Sequence, residues 1–250
     1  MKTAYYEARG FTPYYFAHTI FNIVKRPMSF LRNLEDILGD MATSKWCDSF
    51  PRYSNLHRFI EYIADDLLFE PDDEAPGETW VFAFLKHYGI TAPAVDADDD
   101  DAMSDLRLLP AFDDALLALT EEIFHILFHD VVFLRDFNGM VAGYIPPYGE
   151  YQNGTDGRFT SKGMLKRMPI PAWVKEAVYH RDKGECRTCK KRIDQKLHLS
   201  DKEQYDHMIP LAVGGANDIT NLQLLCEGCN RTKAASSTEV SSFYIKAYRE

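Results

Sequence analysis

Residues 205–226 read YDHMIPLAVGGANDITNLQLLC. The last residue of this stretch opens the pair Cys226-Glu-Gly-Cys229, and a matching pair, Cys186-Arg-Thr-Cys189, lies upstream with 36 residues between Cys189 and Cys226. Two such knuckles are the usual way of presenting four thiolates to a tetrahedral zinc ion, and four thiolates leave no open position for water or substrate. The predicted ion is therefore structural zinc on Cys186, Cys189, Cys226 and Cys229. A segment this short, with few large apolar side chains, gains from a metal staple what burial alone does not supply. Outward from the knuckles, PAWVKEAVYHRDKGEC (171–186) places Val174, Ala177 and Val178 on one helical face, with Gly184 turning the chain into Cys186. On the other side, Asn230-Arg-Thr-Lys-Ala-Ala should begin a helix.

The order Asp-His-x-Ile-Pro, then Gly-Gly, then Asn-Leu-x-x-Leu-Cys-x-x-Cys-Asn-x-x-Lys resembles the HNH endonuclease family. Spacings of 14 residues from His207 to Asn221 and 9 more to Asn230 carry the likeness, which spans about 60 residues. The resemblance implies a ββα-metal fold, two strands followed by a helix. It implies that His207 is the general base, Asp206 and Asn230 hold a catalytic Mg²⁺ or Mn²⁺, and Asn221 orients the site. It also implies cleavage leaving 5'-phosphate and 3'-hydroxyl ends. The final motif letter is asparagine, and no H-x-x-x-H follows, so the likeness is to the asparagine-ending branch common among restriction, phage and genome-defence nucleases.

The chemistry is reasonable on its own terms. Phosphodiester hydrolysis needs a water deprotonated in line with the scissile bond, and imidazole, with a reference pKa of about 6.5, suits that task near neutrality. One carboxylate and one amide oxygen favour a hard divalent cation over zinc. Neighbours on a strand face opposite ways, so Asp206 and His207 serve different partners. Lys233, one turn beyond Asn230, is the best candidate for phosphate contact, with Arg231, Lys190, Lys191 and Arg192 as further candidates. Residues 194–203 form an insertion with no evident role.

The rest of the chain differs in kind. The 250 residues carry a net charge of -10, but residues 1–150 hold 26 acidic and 11 basic side chains and residues 151–250 hold 12 and 17. Only the second part is suited to approach phosphates. Apolar residues recur at helical spacing over Pro13 to Leu38, with a break near Pro27, and over Asn55 to Phe69, Thr79 to Tyr88 and Phe112 to Phe137. The run DADDDDAMSD (96–105) reads as a solvated loop. Glu121, His125 and His129 share a helix face, but the surrounding residues are core-like. Glycine and proline between Tyr144 and Pro171 predict an exposed connector. It carries Arg158, Lys162, Lys166 and Arg167, which either follow a nucleic-acid backbone or are simply solvated.

The expectation is an α+β protein. Residues 1–143 form an acidic, mainly helical domain that recognises a protein partner, target feature or signal; 144–170 form a basic linker, and 171–250 a zinc-stapled nuclease domain acting on DNA. Met1 to Phe11 has no signal-peptide core, and charged residues interrupt the apolar run Ala115 to Leu134, so a cytoplasmic protein without a membrane partner is expected. Reduced thiols follow, and Cys47, outside the knuckles, is expected to be an inert, partly buried thiol. A non-catalytic zinc module that binds nucleic acid, or a nuclease acting on RNA, fits the same knuckles. The first would not need Asp206, His207 and Asn230 together.

Overall fold

The computed structural model describes residues 11–30, 34, 37–38, 45–72, 75–95, 99–145, 156–193 and 203–233. The chain divides into two compact units, residues 1–22 with 57–127 and residues 23–56 with 128–250. The cut expected after residue 143 falls inside the second of these. No described helix is long and apolar enough to cross a membrane.

Helix α1 (Pro13–Lys25) stops ahead of Pro27, which begins a 3-10 turn over Pro27–Ser29. Proline lacks the N–H a continuing helix needs, and its ring crowds the preceding turn. Helix α2 (Asn55–Phe69) has the bounds its apolar pattern predicted. Leu56, Phe59, Ile60 and Ile63 are buried, and Leu68 takes the place expected of Leu67. A short antiparallel ribbon, β1 (Pro71–Asp72) with β2 (Ala75–Thr79), leads into α3 (Trp80–His87). Edge-on aromatic contacts link Phe84 to Phe112 at 5.5 Å and Phe16 to Trp80 at 6.2 Å in the core of the first unit.

The acidic run corrects its sequence reading as a solvated loop, although residues 96–98 lie outside the described ones. Asp99 caps helix α4 (Asp100–Ser104), its carboxylate accepting from the Ala102 N–H at 3.1 Å, and a 3-10 turn follows over Asp105–Leu108. An aspartate at the N-cap satisfies an otherwise unpaired donor and complements the helix dipole. Met103 and Leu106 are buried, so the segment contributes to the core. Asp130 caps in the same way between α5 (Phe112–Phe128) and α6 (Val131–Val141), accepting from Val132 and Phe133 N–H at 2.9 Å. One periodic run is thereby two helices.

The second unit holds α7 (Ala172–Arg181), β3 (Gln204–His207), β4 (Leu222–Leu225) and α8 (Glu227–Thr232). Strands β3 and β4 pair antiparallel, with His207 opposite Leu222 and Gln204 opposite Leu225. Strand β4 is buried throughout. Arg181 and Asp182, both fully buried, form an ion pair that fastens α7 to it: Arg181 donates to the Leu222 carbonyl at 2.6 Å, and the Leu224 N–H donates to Asp182 at 2.8 Å. A buried pair is tolerated when hydrogen bonds answer its desolvation in this way.

The end of the expected connector is folded. Phe159 and Leu165 form an antiparallel bridge and are both buried, and Arg158 forks onto Asp156 and reaches Asp48 at 3.1 Å. Turn residues there signal a tight bend, which burial then fixes. The loop between β3 and β4 is likewise anchored: the Phe50 N–H donates to the Asn217 carbonyl at 2.7 Å, the Asn55 N–H to Asp218 at 3.0 Å, and the Asn138 amide to the Thr220 hydroxyl at 3.1 Å.

Candidate active site and metal centre

The two knuckles converge. The sulfurs of Cys186, Cys189, Cys226 and Cys229 all lie within 4.8 Å of one another, and the Cys189 and Cys226 Sγ atoms are 3.7 Å apart. A tetrahedral zinc with Zn–S bonds of about 2.3 Å would separate its sulfurs by about 3.8 Å, so the donor set fits that ion. Lys190, just past the first pair, adopts a left-handed φ of 64° that lets the Lys190 N–H return to the Cys186 carbonyl at 2.9 Å. Burial opposes ionisation of Cys186, yet backbone N–H groups of Cys189, Cys226 and Thr188 bring its thiol down to about 7. Burial and then the neighbouring sulfurs push Cys229 up. A divalent cation relieves that conflict by binding all four as thiolates. Cys47, by contrast, is buried alone, and burial pushes it up to about 12. It is a thiol without nucleophilic character.

Cys226 also caps α8, accepting from the Cys229 N–H at 3.5 Å. The zinc pair thus sets the start of the helix that follows. That helix lies along β3: the Asn230 amide approaches Gln204 at 3.5 Å, and the Lys233 ammonium donates to Asp206 Oδ2 and to the His207 carbonyl, both at 2.6 Å. Gln204 and Asp206, two residues apart, share the strand face towards α8. His207 faces the other way and is 2% exposed.

The surroundings of His207 define its chemistry. Its Nε2 lies 3.3 Å from Asn217 Oδ1, and the Asn217 amide nitrogen donates to the Lys166 carbonyl at 2.8 Å. That second bond fixes which way the Asn217 amide points, so an acceptor faces Nε2 and the ring proton resides there. Nδ1 is left with its lone pair free; it is buried and has no hydrogen-bond partner among the described residues. Burial, and next the charge of Arg167, lower His207 to about 4, against the opposing pull of Asp206 and the Asn217 bond. The ring is neutral at physiological pH, the form that accepts a proton.

Asn221 does a different job. Its side chain accepts from the Ile209 N–H at 2.8 Å and donates to the Ile209 and Ala216 carbonyls, both at 2.9 Å. This closes the loop after His207 through the backbone. Gly215 lies in that loop, and a Cβ there would overlap the Ile209 carbonyl, so the second glycine of the pair is required by close approach.

Residues 186–236 match the family model for HNH endonuclease. This segment is an HNH domain. Comparison with curated proteins and with solved structures returns no significant match to the chain.

Within and beside the HNH domain, the sequence-based candidates separate. Asp206 and Asn230 sit on the strand and helix facing each other, Asn221 in the loop, and the four cysteines in one cluster. Lys233, expected to be free for phosphate, is committed to Asp206 and 10% exposed. Arg231 is exposed and pairs with Glu227 along α8. Lys190, Lys191 and Arg192 belong to the first knuckle, where Arg192 bridges back to Glu185. Among the described residues, the cysteines are the one cluster suited to a metal; Glu121 and His125 make only an exposed contact at 4.0 Å. Of the insertion, residues 194–202 lie outside the described ones. The sequence reading missed Asn217, whose letter is unremarkable in an Asn-Asp turn, and Asp182, whose role depends on a strand some 40 residues away.

Proposed function

We propose that the HNH domain hydrolyses DNA phosphodiester bonds with His207 as general base. The observation that carries this reading is the buried, neutral imidazole whose Nε2 is held by Asn217 and whose Nδ1 has no partner among the described residues. Hydrolysis requires the site to open enough for a water to reach Nδ1, which takes that water's proton as its oxygen bonds to phosphorus. The P–O3' bond breaks, and the 3'-oxygen leaves as the hydroxyl after taking a proton from solvent. The products carry 5'-phosphate and 3'-hydroxyl ends.

Asp206 and Asn230 are the ligands we assign to a Mg²⁺ or Mn²⁺ ion, on the chemistry of a carboxylate and an amide oxygen carried by the adjoining β3 and α8. When bound, such an ion stabilises the charge that grows on the phosphate and the leaving oxygen. Asp206 holds one positive charge from Lys233. A carboxylate that accepts a cation there is consistent with the assignment. Asn221 keeps the loop in the shape that leaves His207 buried, and structural zinc orients α8.

The basic C-terminal charge favours a nucleic-acid substrate, and the asparagine at position 230 favours a restriction or genome-defence effector. The acidic, helical part of the chain is then the element that selects a partner or target. Plasmid nicking with Mg²⁺ tests the core of the reading. We expect wild-type protein to nick and His207→Ala to lose at least about 10²-fold in rate, the usual weight of a general base, while keeping four-cysteine zinc and DNA binding. Equal rates would sink it. Cleavage of RNA but not DNA would move it to the RNA-directed alternative.

A further inference from the structure

The segment 156–170 precedes the matched family residues 186–236 and reaches the site through a chain of contacts. It is a rigid strap. The Phe159–Leu165 bridge is closed by the Thr160 N–H donating to the Met164 carbonyl at 2.7 Å and the Met164 N–H donating to the Thr160 hydroxyl at 3.2 Å, with Gly163 turning the chain at φ 72°. The Lys166 N–H donates to the Arg158 carbonyl at 2.8 Å, and the Lys166 carbonyl then accepts from Asn217, which holds His207. Lys166, one residue before Arg167, is therefore a fixed point of the strap beside the general base.

Arg167 is exposed, and among the described residues it has no hydrogen bond or ion pair. Neighbouring cations are otherwise engaged: Lys233 with Asp206, Arg158 with Asp156 and Asp48, the Lys166 ammonium with the Gly157 carbonyl. Arg167 directly follows the Lys166 carbonyl that holds Asn217 against His207, so its exposed guanidinium is carried at the edge of the site. A guanidinium matches the two non-bridging oxygens of a phosphodiester.

We propose that Arg167 is a substrate-binding residue that grips the non-bridging oxygens of the phosphodiester to be cut, so that the catalytic site is completed by the strap outside the family segment. This rests on the nuclease reading above. The test uses the full zinc-loaded chain and four proteins: wild type, Arg167→Ala, Arg167→Lys, and Lys175→Ala as a control for an exposed charge on α7. Plasmid nicking with Mg²⁺ is measured beside duplex DNA binding by fluorescence anisotropy over a salt series without added divalent ions. We expect Arg167→Ala to nick on the order of 10²-fold more slowly and its log K against log salt slope to fall by about one phosphate contact. Arg167→Lys should recover the slope but only part of the rate, and Lys175→Ala should nick like wild type. Arg167→Ala indistinguishable from Lys175→Ala in both readouts overturns the proposal, as does a lost rate with an unchanged slope, which would place Arg167 on His207 and not on phosphate. Arg167→Gln repeats the comparison if the alanine variant loses its zinc. If wild type binds but does not nick, the nuclease reading falls and the slope alone decides whether Arg167 contacts phosphate.

Discussion

Two asparagines illustrate how a residue's role depends on what its amide meets. Asn221 turns both its oxygen and its nitrogen to backbone, and Asn217 divides its between the catalytic-candidate ring and the Lys166 carbonyl. Sequence identified the first by its spacing from His207 and passed over the second, because an amide that selects a tautomer has no periodicity of its own. A histidine in the other unit gives a prediction at the same scale. His57 is buried and stacks on Phe124 with ring centroids 3.7 Å apart, and burial, then His125 and Arg58, lower it to about 4. In the unfolded chain it titrates near 6.5. Between those values the unfolded state binds the extra proton, so the contribution is fully present above about pH 6.5 and is lost as pH falls towards about 4. The slope is at most about 1.4 kcal/mol per pH unit. Denaturant unfolding of wild type and His57→Phe across pH 4 to 7 should diverge in that direction; parallel curves would refute the assignment.

At the scale of elements, the ββα unit was legible because its chemistry is written in residue types at fixed spacing: two Cys-x-x-Cys pairs, Asp206-His207, Asn221 and Asn230. Helices α1 and α2 were legible from apolar spacing and the proline break. The split between α5 and α6 was not, since Asp130 interrupts an apolar run without disturbing its period and acts only by capping. The helical turn after Asp99 was missed for the same reason: a cluster of acids reads as solvated until one of them caps. The loop joining β3 to β4 yields a paired prediction. Gly215→Ala places a methyl group against the Ile209 carbonyl and the Asn221 amide, breaking the latch between them. It should destabilise the protein by roughly 2–3 kcal/mol, the cost of overpacking together with lost buried hydrogen bonds. Gly228→Ala, in α8, meets nothing within 4 Å and should be neutral or stabilising by roughly 0.5–1 kcal/mol. Urea midpoints of the two variants measure both, and equal midpoints would mean the loop relaxes freely.

At the scale of the whole molecule, the question is how much of the chain the HNH domain needs. The sequence marks residues 171–250 as the nuclease domain, and all four knuckle cysteines lie within them. The loop carrying Asn217, Asp218 and Thr220 is nevertheless bonded to Phe50, Asn55, Asn138 and Lys166, from three earlier segments, the Asn55–Asp218 bond alone spanning 163 residues. Asp218 and Thr220 are fully buried; without those partners the loop faces water and keeps the bonds between Thr220 and Asp218. Each intramolecular hydrogen bond lost is worth roughly 0.5–1.5 kcal/mol, and several together are a large share of the roughly 5–15 kcal/mol that holds a whole domain folded. No local pattern announces such contacts, which is why the boundary drawn from composition at residue 144 and the compact unit reaching back to residue 23 disagree. A fragment of residues 171–250 should therefore take up zinc but melt well below the full chain. Per bound zinc, it should nick plasmid more slowly by at least an order of magnitude, because the support of Asn217 at the Lys166 carbonyl is gone. Zinc content, thermal melting and nicking rate of the fragment beside the full chain decide it. A fragment that matches the full chain in rate and melting would restore the sequence-drawn boundary and reduce the upstream contacts to ornament.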